Sequence, residues 1–229
     1  MSCLPPLSAL VSLHLGNSPS KLTFAQWRHT LTMSNQLQDL HINEDVLLLQ
    51  LFPAVEIPSL YSLTFTPCAN LYNQMVSIKC SALQHLIVEP HHLYNTLLEL
   101  SGAPRDSDPS SPSMYPSLQS LTLQHVTITR IEAYWFIANL PSITHIIIDS
   151  CTDPDILLNF LVPTDAHKSN SEIHWPLLQT IGLSGMESTA TLEVLYKIVS
   201  DCMSRGIPLV SAQLASMGIS PDMLDWLRE

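Results

Sequence analysis

Charge is scarce in this sequence, and positive charge is scarcest. Asp, Glu, Lys and Arg make up 13% of the 229 residues, nine basic against twenty acidic, for a net charge of −11. No Lys/Arg cluster occurs anywhere. The basic footprint that nucleic-acid binding requires is therefore missing, and neutral or basic protein partners are easier to accommodate. Glycine is also rare, at six residues, against seventeen prolines, so proline does most of the punctuation. Apolar residues reach 46%, which is too many for a disordered chain and enough for a sizeable core.

Cysteine is sparse and odd in number: Cys3, Cys68, Cys80, Cys151 and Cys202, with no C-x-x-C pair. This pattern reads as reduced, buried thiols rather than a disulfide framework. The apolar start, MSCLPPLSALVSLHLG, has no basic n-region, and Pro5 and Pro6 interrupt it, so it does not read as a signal peptide. No apolar run is long enough to span a bilayer, since Asn139, Pro141 and His145 break the uncharged stretch 133–148. The expectation is a chain without a membrane span, in the cytoplasm or nucleus.

Catalytic signatures are missing too. There is no G-x-S-x-G, no GxxxxGK[ST], no GxGxxG and no H-E-x-x-H. The segment from Asp149 to Asp155 alternates oxygen-bearing residues like a calcium loop but lacks the turn glycine and the distal glutamate. Asp153 and Pro154 read instead as a helix N-cap and first helical residue. His91 and His92 beside Glu89 read as a surface cluster. The expectation is no enzyme, no cofactor and no metal.

What the sequence does have is a repeat. LQDLHI (37–42) returns as LQHLIV (83–88), LQSLTL (118–123) and LQTIGL (178–183). The broader pattern apolar-x-x-apolar-x-apolar occurs eight times, with first positions at 10, 37, 60, 83, 118, 143, 178 and 209. The intervals run from 23 to 35 residues, most of them in or near the ~20–29 of leucine-rich repeats, the longer ones holding insertions. Apolar residues in alternation share one face of a short strand. One such unit cannot bury that face alone, but stacked units share a core and a parallel sheet. Helical return segments are expected at 24–32 (stripe Phe24, Trp27, Leu31), 92–100 (Leu93, Leu97, Leu100), 131–140 (Ile131, Trp135, Ala138), 154–161, 190–204 and 222–229. Proline before the strands, at Pro6, Pro58, Pro116, Pro141, Pro176 and Pro208, is expected to end each helix and force an extended entry. The fold expected is α/β: a leucine-rich-repeat solenoid of about eight irregular repeats, with a curved parallel sheet on the concave side and helices on the convex side. It forms a single domain over 1–229, with Ser/Pro-rich insertions at 102–115 and 163–174.

A solenoid's concave face is its usual contact surface. The strand side chains on that face are Ser12 and His14, Asp39 and His41, Ser62 and Thr64, His85 and Ile87, Ser120 and Thr122, and His145 and Ile147. Thr180, Gly182, Ser211 and Gln213 continue the two columns. These are the expected partner contacts. His14 and His41 share a column, and with Asp39 nearby they define an alternative reading as a metal site. A third reading is a truncated or decayed repeat chain with no retained partner.

Taken whole, the chain resembles the leucine-rich-repeat region of fungal, basidiomycete F-box-like proteins. The resemblance is carried by LPPLSALVSLHL (4–15), FAQWRHTLTMSNQLQDLHI (24–42), IPSLYSLTF (57–65), YPSLQSLTL (115–123), WFIANLPSITHIIIDSC (135–151), WPLLQTIGL (175–183) and SRGIPLVSAQL (204–214). It covers nearly all of the chain. It implies the substrate-recognition part of a ubiquitin-ligase receptor, with a protein substrate on the concave face. The F-box itself is expected to be missing, so Skp adaptor and cullin are expected as partners only if an F-box is supplied elsewhere.

Overall fold

The computed structural model describes residues 7–16, 22–43, 54–66, 78–89, 115–128, 130, 133, 136–137, 140–162, 175–185, 189–206, 209 and 211–215. Each copy of the repeat supplies one strand. The strands are β1 (Ser12–Leu15), β2 (Asp39–Asn43), β4 (Ser62–Thr66), β6 (His85–Val88), β7 (Ser120–Gln124), β8 (His145–Asp149), β9 (Thr180–Ser184) and β10 (Ser211–Ala215). They form one eight-stranded sheet in the order β1-β2-β4-β6-β7-β8-β9-β10. Every neighbouring pair is parallel.

The register is set by the repeat. Leu13, Leu40, Leu63, Leu86, Leu121, Ile146, Ile181 and Ala212 pair along one column. Leu15, Ile42, Phe65, Val88, Leu123, Ile148, Leu183 and Leu214 pair along the next. From β2 to β9 both columns are buried. A slip of one residue would turn the whole apolar set outward, which is why the register holds. The edge strands close the core less well: Leu13, Leu15 and Leu214 are half-buried and Ala212 is exposed.

The leading leucines are buried as well, at Leu37, Leu60, Leu83, Leu118, Ile143 and Leu178. They close tight turns. The amide of Leu60 donates to the Ile57 carbonyl, and the same step recurs from Leu118 to Tyr115, Ile143 to Leu140 and Leu178 to Trp175. Pro58, Pro116, Pro141 and Pro176 occupy the second position of these turns, where a fixed φ is favourable. This corrects the expected extended entry: the prolines shape a turn rather than lead straight into a strand. Pro6 and Pro208 lie outside the described residues.

The glutamine after the leading leucine serves through its backbone. The carbonyl of Gln38 accepts from the amides of both Tyr61 and Ser62, and that of Gln84 from Gln119 and Ser120. The Gln119 carbonyl accepts likewise from Thr144 and His145. The side chains of Gln38, Gln119 and Gln179 are exposed and that of Gln84 half-buried, as the alternation requires.

Three helices are described over their full length. Helix α1 (Phe24–Met33) opens on a capping box between Thr23 and Gln26 and buries Trp27 and Leu31. Helix α2 (Pro154–Leu161) has Pro154 in its first turn. Asp153 precedes it in a left-handed conformation, and its side chain makes no cap hydrogen bond. That corrects the capping role expected of this carboxylate. Helix α3 (Thr189–Arg205) ends at Gly206, whose φ of +67° suits glycine. Around 131–140, Arg130, Ala133, Phe136 and Ile137 are helical, and Ala133, Phe136, Ile137 and Leu140 are buried. Ile131, Trp135 and Ala138, the stripe read from the sequence, lie outside the described residues. So do the expected helices at 92–100 and 222–229, and the insertions 102–114 and 163–174.

Between β2 and β6 the return path also uses strand. β3 (Val55–Glu56) pairs in parallel with β5 (Ile78–Lys79). The two repeats here are the shortest, at 23 residues. The core lies between the large sheet and these return segments. Trp27, Val55, Ile78, Leu157, Leu158, Leu195 and Ile198 join the strand residues in one buried cluster.

Candidate binding face of the sheet

The side chains that alternate with the core columns emerge on the opposite face. Register places Ser12, Asp39, Ser62, His85, Ser120, His145, Thr180 and Ser211 in one row across the sheet. His14, His41, Thr64, Ile87, Thr122, Ile147, Gly182 and Gln213 form the row beside it. All of the residues picked from the sequence thus share one face. All are half-buried or exposed except Gly182, whose bare backbone is covered. A Cβ built on Gly182 would approach Ile147 Cγ1 to 3.2 Å, so Ile147 leans over it.

The histidines are the most organised part of the face. The rings of His14 and His41 lie with centroids 4.9 Å apart and planes tilted by 52°. His41 Nε2 is 2.7 Å from Thr66 Oγ1. Burial holds His41 below the ordinary histidine pKa, His14 adds to the depression, and Glu89 opposes it. His85 meets Tyr61 edge-on, centroids 4.8 Å apart, with its Nε2 2.9 Å from the Tyr61 hydroxyl oxygen. His145 Nδ1 is 2.7 Å from the hydroxyl of Thr144. Each of these three rings already has a hydroxyl partner. Asp39 stands in the first row and His14 and His41 in the second. Among the described residues, no group of three or more His, Cys, Asp and Glu side chains is arranged to hold a metal ion.

A third outward row was missed in the sequence. It comprises Asn43, Thr66, Gln124, Asp149 and Ser184, the last positions of their strands. The period-two pattern carried one step further would have found it. Asp149 is its centre. Its Oδ1 accepts from Ser184 Oγ at 2.5 Å and Ser150 Oγ at 3.1 Å, and its Oδ2 from Gln124 Nε2 at 3.5 Å. The Ser184 hydroxyl does most to hold this carboxyl below the usual range, against an opposing effect of burial; Ser150, His125 and Gln124 assist. Immediately beyond this row the chain turns in left-handed conformation, at His125, Ser150 and Gly185. The amides of His125 and Ser150 there donate to the Asp149 and Ser184 carbonyls, which extends the ladder.

The described cysteines, Cys80, Cys151 and Cys202, do not fall in the outward rows. Cys80 and Cys151 are buried free thiols, and burial pushes them up to about 12 and about 11. Cys202 is half-buried on α3, while Cys3 and Cys68 lie outside the described residues. Among the described residues no helix is long and apolar enough to cross a membrane. Comparison of the chain with protein-family models, with curated proteins and with solved structures returned no match.

Proposed function

We propose that this chain is a leucine-rich-repeat solenoid that binds another protein on the outward face of its large sheet, without turnover. The observation that carries the reading is the accessibility of that face. Three rows of short polar, histidine and isoleucine side chains cross the sheet, and nearly all of them stay solvent-accessible while the alternating rows are buried. A non-obligate contact surface is about as polar as the rest of a protein's surface, and this face, unlike the buried rows, has that mixed character. The intervals of 23 to 35 residues and the one-strand-per-repeat topology support the solenoid part of the reading.

The narrower form of the proposal is substrate recognition for an F-box-type ubiquitin ligase. It rests on the resemblance of the repeats alone. Both forms are tested by proximity labelling in the native host, comparing the chain with a version carrying His14→Ala, His41→Ala, His85→Ala and His145→Ala. A specific protein labelled by the first and lost with the second is the expected result. Skp adaptor and cullin labelled by both would support the ligase form. If the labelled proteins are identical and no ligase component is among them, the ligase form fails and so does contact through the histidines.

A further inference from the structure

Two strands of the face carry the same outward sequence. β6 runs His85, Ile87 and then Glu89, and β8 runs His145, Ile147, Asp149, each with buried residues between. Between them β7 offers only Ser120, Thr122 and Gln124. The strands are two spacings apart, so the matching positions lie about 9–10 Å from each other. The middle of the sheet thus presents two aliphatic side chains in one row, Ile87 and Ile147, flanking Thr122. Two carboxylates stand on the adjoining side of that strip. Glu89 is outward because it follows the buried Val88, and it lies close enough to His41 to influence its charge. Asp149 keeps one oxygen lightly used, since Oδ2 meets only Gln124 at 3.5 Å.

None of the nine Lys and Arg residues of the chain falls at an outward position of the eight strands. Among the described residues, no Lys or Arg therefore accompanies the carboxylates Asp39, Glu89 and Asp149 at the outward positions of the strands. A lysine or arginine from elsewhere suits the geometry, because its aliphatic stem can lie on an isoleucine while its head reaches the acid two residues along.

Resting on the proposed binding role of this face, we infer that its partner presents a polyproline-II segment with two basic residues three positions apart. Their stems cover Ile87 and Ile147, and their cations meet Glu89 and Asp149. Three residues of polyproline-II chain span about 9 Å and return the side chain to the same face, which matches the separation of the two strands. The segment crosses the strands rather than adding to an edge.

The test is a selection of random dodecapeptides displayed on phage against the purified chain, repeated with Glu89→Gln/Asp149→Asn and with Thr122→Trp, which fills the strip. Glu89→Gln alone serves if the double variant loses its circular-dichroism spectrum. The expected result is enrichment of peptides with Lys or Arg at i and i+3. Synthetic versions should bind about tenfold more weakly to the carboxylate variants and not at all to Thr122→Trp. Peptides without a basic pair that are nonetheless lost on Thr122→Trp would overturn this inference while leaving the binding face intact. Enriched peptides indifferent to all the variants, or no enrichment, would overturn both.

Discussion

Across three strands of the sheet, His14 lies against His41, and His41 Nε2 sits 2.7 Å from Thr66 Oγ1. Burial, aided by the neighbouring His14, lowers the proton affinity of the His41 ring against an opposing effect of Glu89. A base whose folded pKa is depressed binds fewer protons folded than unfolded. Its contribution is complete above the unfolded value of about 6.5 and is lost as pH falls through the lower folded value. Stability of the chain should therefore decline on acidification below about pH 6.5. His41→Gln should flatten that part of the profile, as read from urea midpoints at successive pH values.

Asp149 acts in a second, more acidic window. Its folded pKa is lowered, chiefly by the Ser184 hydroxyl, so its contribution is present above the unfolded aspartate value and lost as pH falls through the folded one. Ser184→Ala should reduce stability at neutral pH and shift the acid limb of the unfolding profile upward. The same pH series of urea melts checks it, and an unchanged acid limb would contradict the assignment.

The buried columns should dominate stability. Leu63 has no exposed surface and sits in β4, in the interior of the sheet. Leu63→Ala should cost about 2–5 kcal/mol, the range for a fully buried leucine whose cavity cannot collapse. Leu214, half-buried on the edge strand β10, should cost clearly less on the same substitution. Denaturant unfolding of the two variants measures the contrast.

Two glycines separate strain from crowding. Gly185 and Gly206 both have positive φ, +65° and +67°. A Cβ on Gly185 would lie 2.1 Å from Ser150 Oγ, whereas one on Gly206 would meet nothing within 4 Å. Gly206→Ala should cost about 1 kcal/mol, from the left-handed conformation alone. Gly185→Ala should cost more, because Ser150 must also move and its hydroxyl is bonded to Asp149. Thermal melts of both variants give the comparison.

Thiol reactivity should follow burial. With Cys80 near 12 and Cys151 near 11, both stay protonated at pH 8 and out of reach. Iodoacetamide on the native protein, read by peptide mass spectrometry, should label Cys202 well ahead of either.

The sheet was legible in the sequence because its repeat is a period-two signal in register with itself. Leu40, Leu63 and Leu86 each announce both a strand and the face it buries. The outward rows followed by subtraction, which is how His14 and His41 were placed side by side. The third row ending in Asp149 and Ser184 was not found, since the motif was cut at its last apolar residue. Chemistry that depends on side-chain rotamers left no trace either. Nothing in the spacing says that Thr66 meets His41 or that Tyr61 meets His85. The prolines were misjudged because the same restricted φ serves both an extended entry and the second position of a turn. The failed cap at Asp153 has a similar cause: its identity fits an N-cap, while its left-handed backbone carries the side chain away from the helix amides.

The most direct test of the binding role is site-specific photocrosslinking in the native host. A photoreactive phenylalanine analogue is placed at Thr122, in the middle of the outward face, or at Met203, 74% exposed on α3. The account predicts a discrete crosslinked protein from Thr122 that is missing from Met203. Crosslinks of equal pattern from both positions, or a partner captured only from Met203, would contradict it.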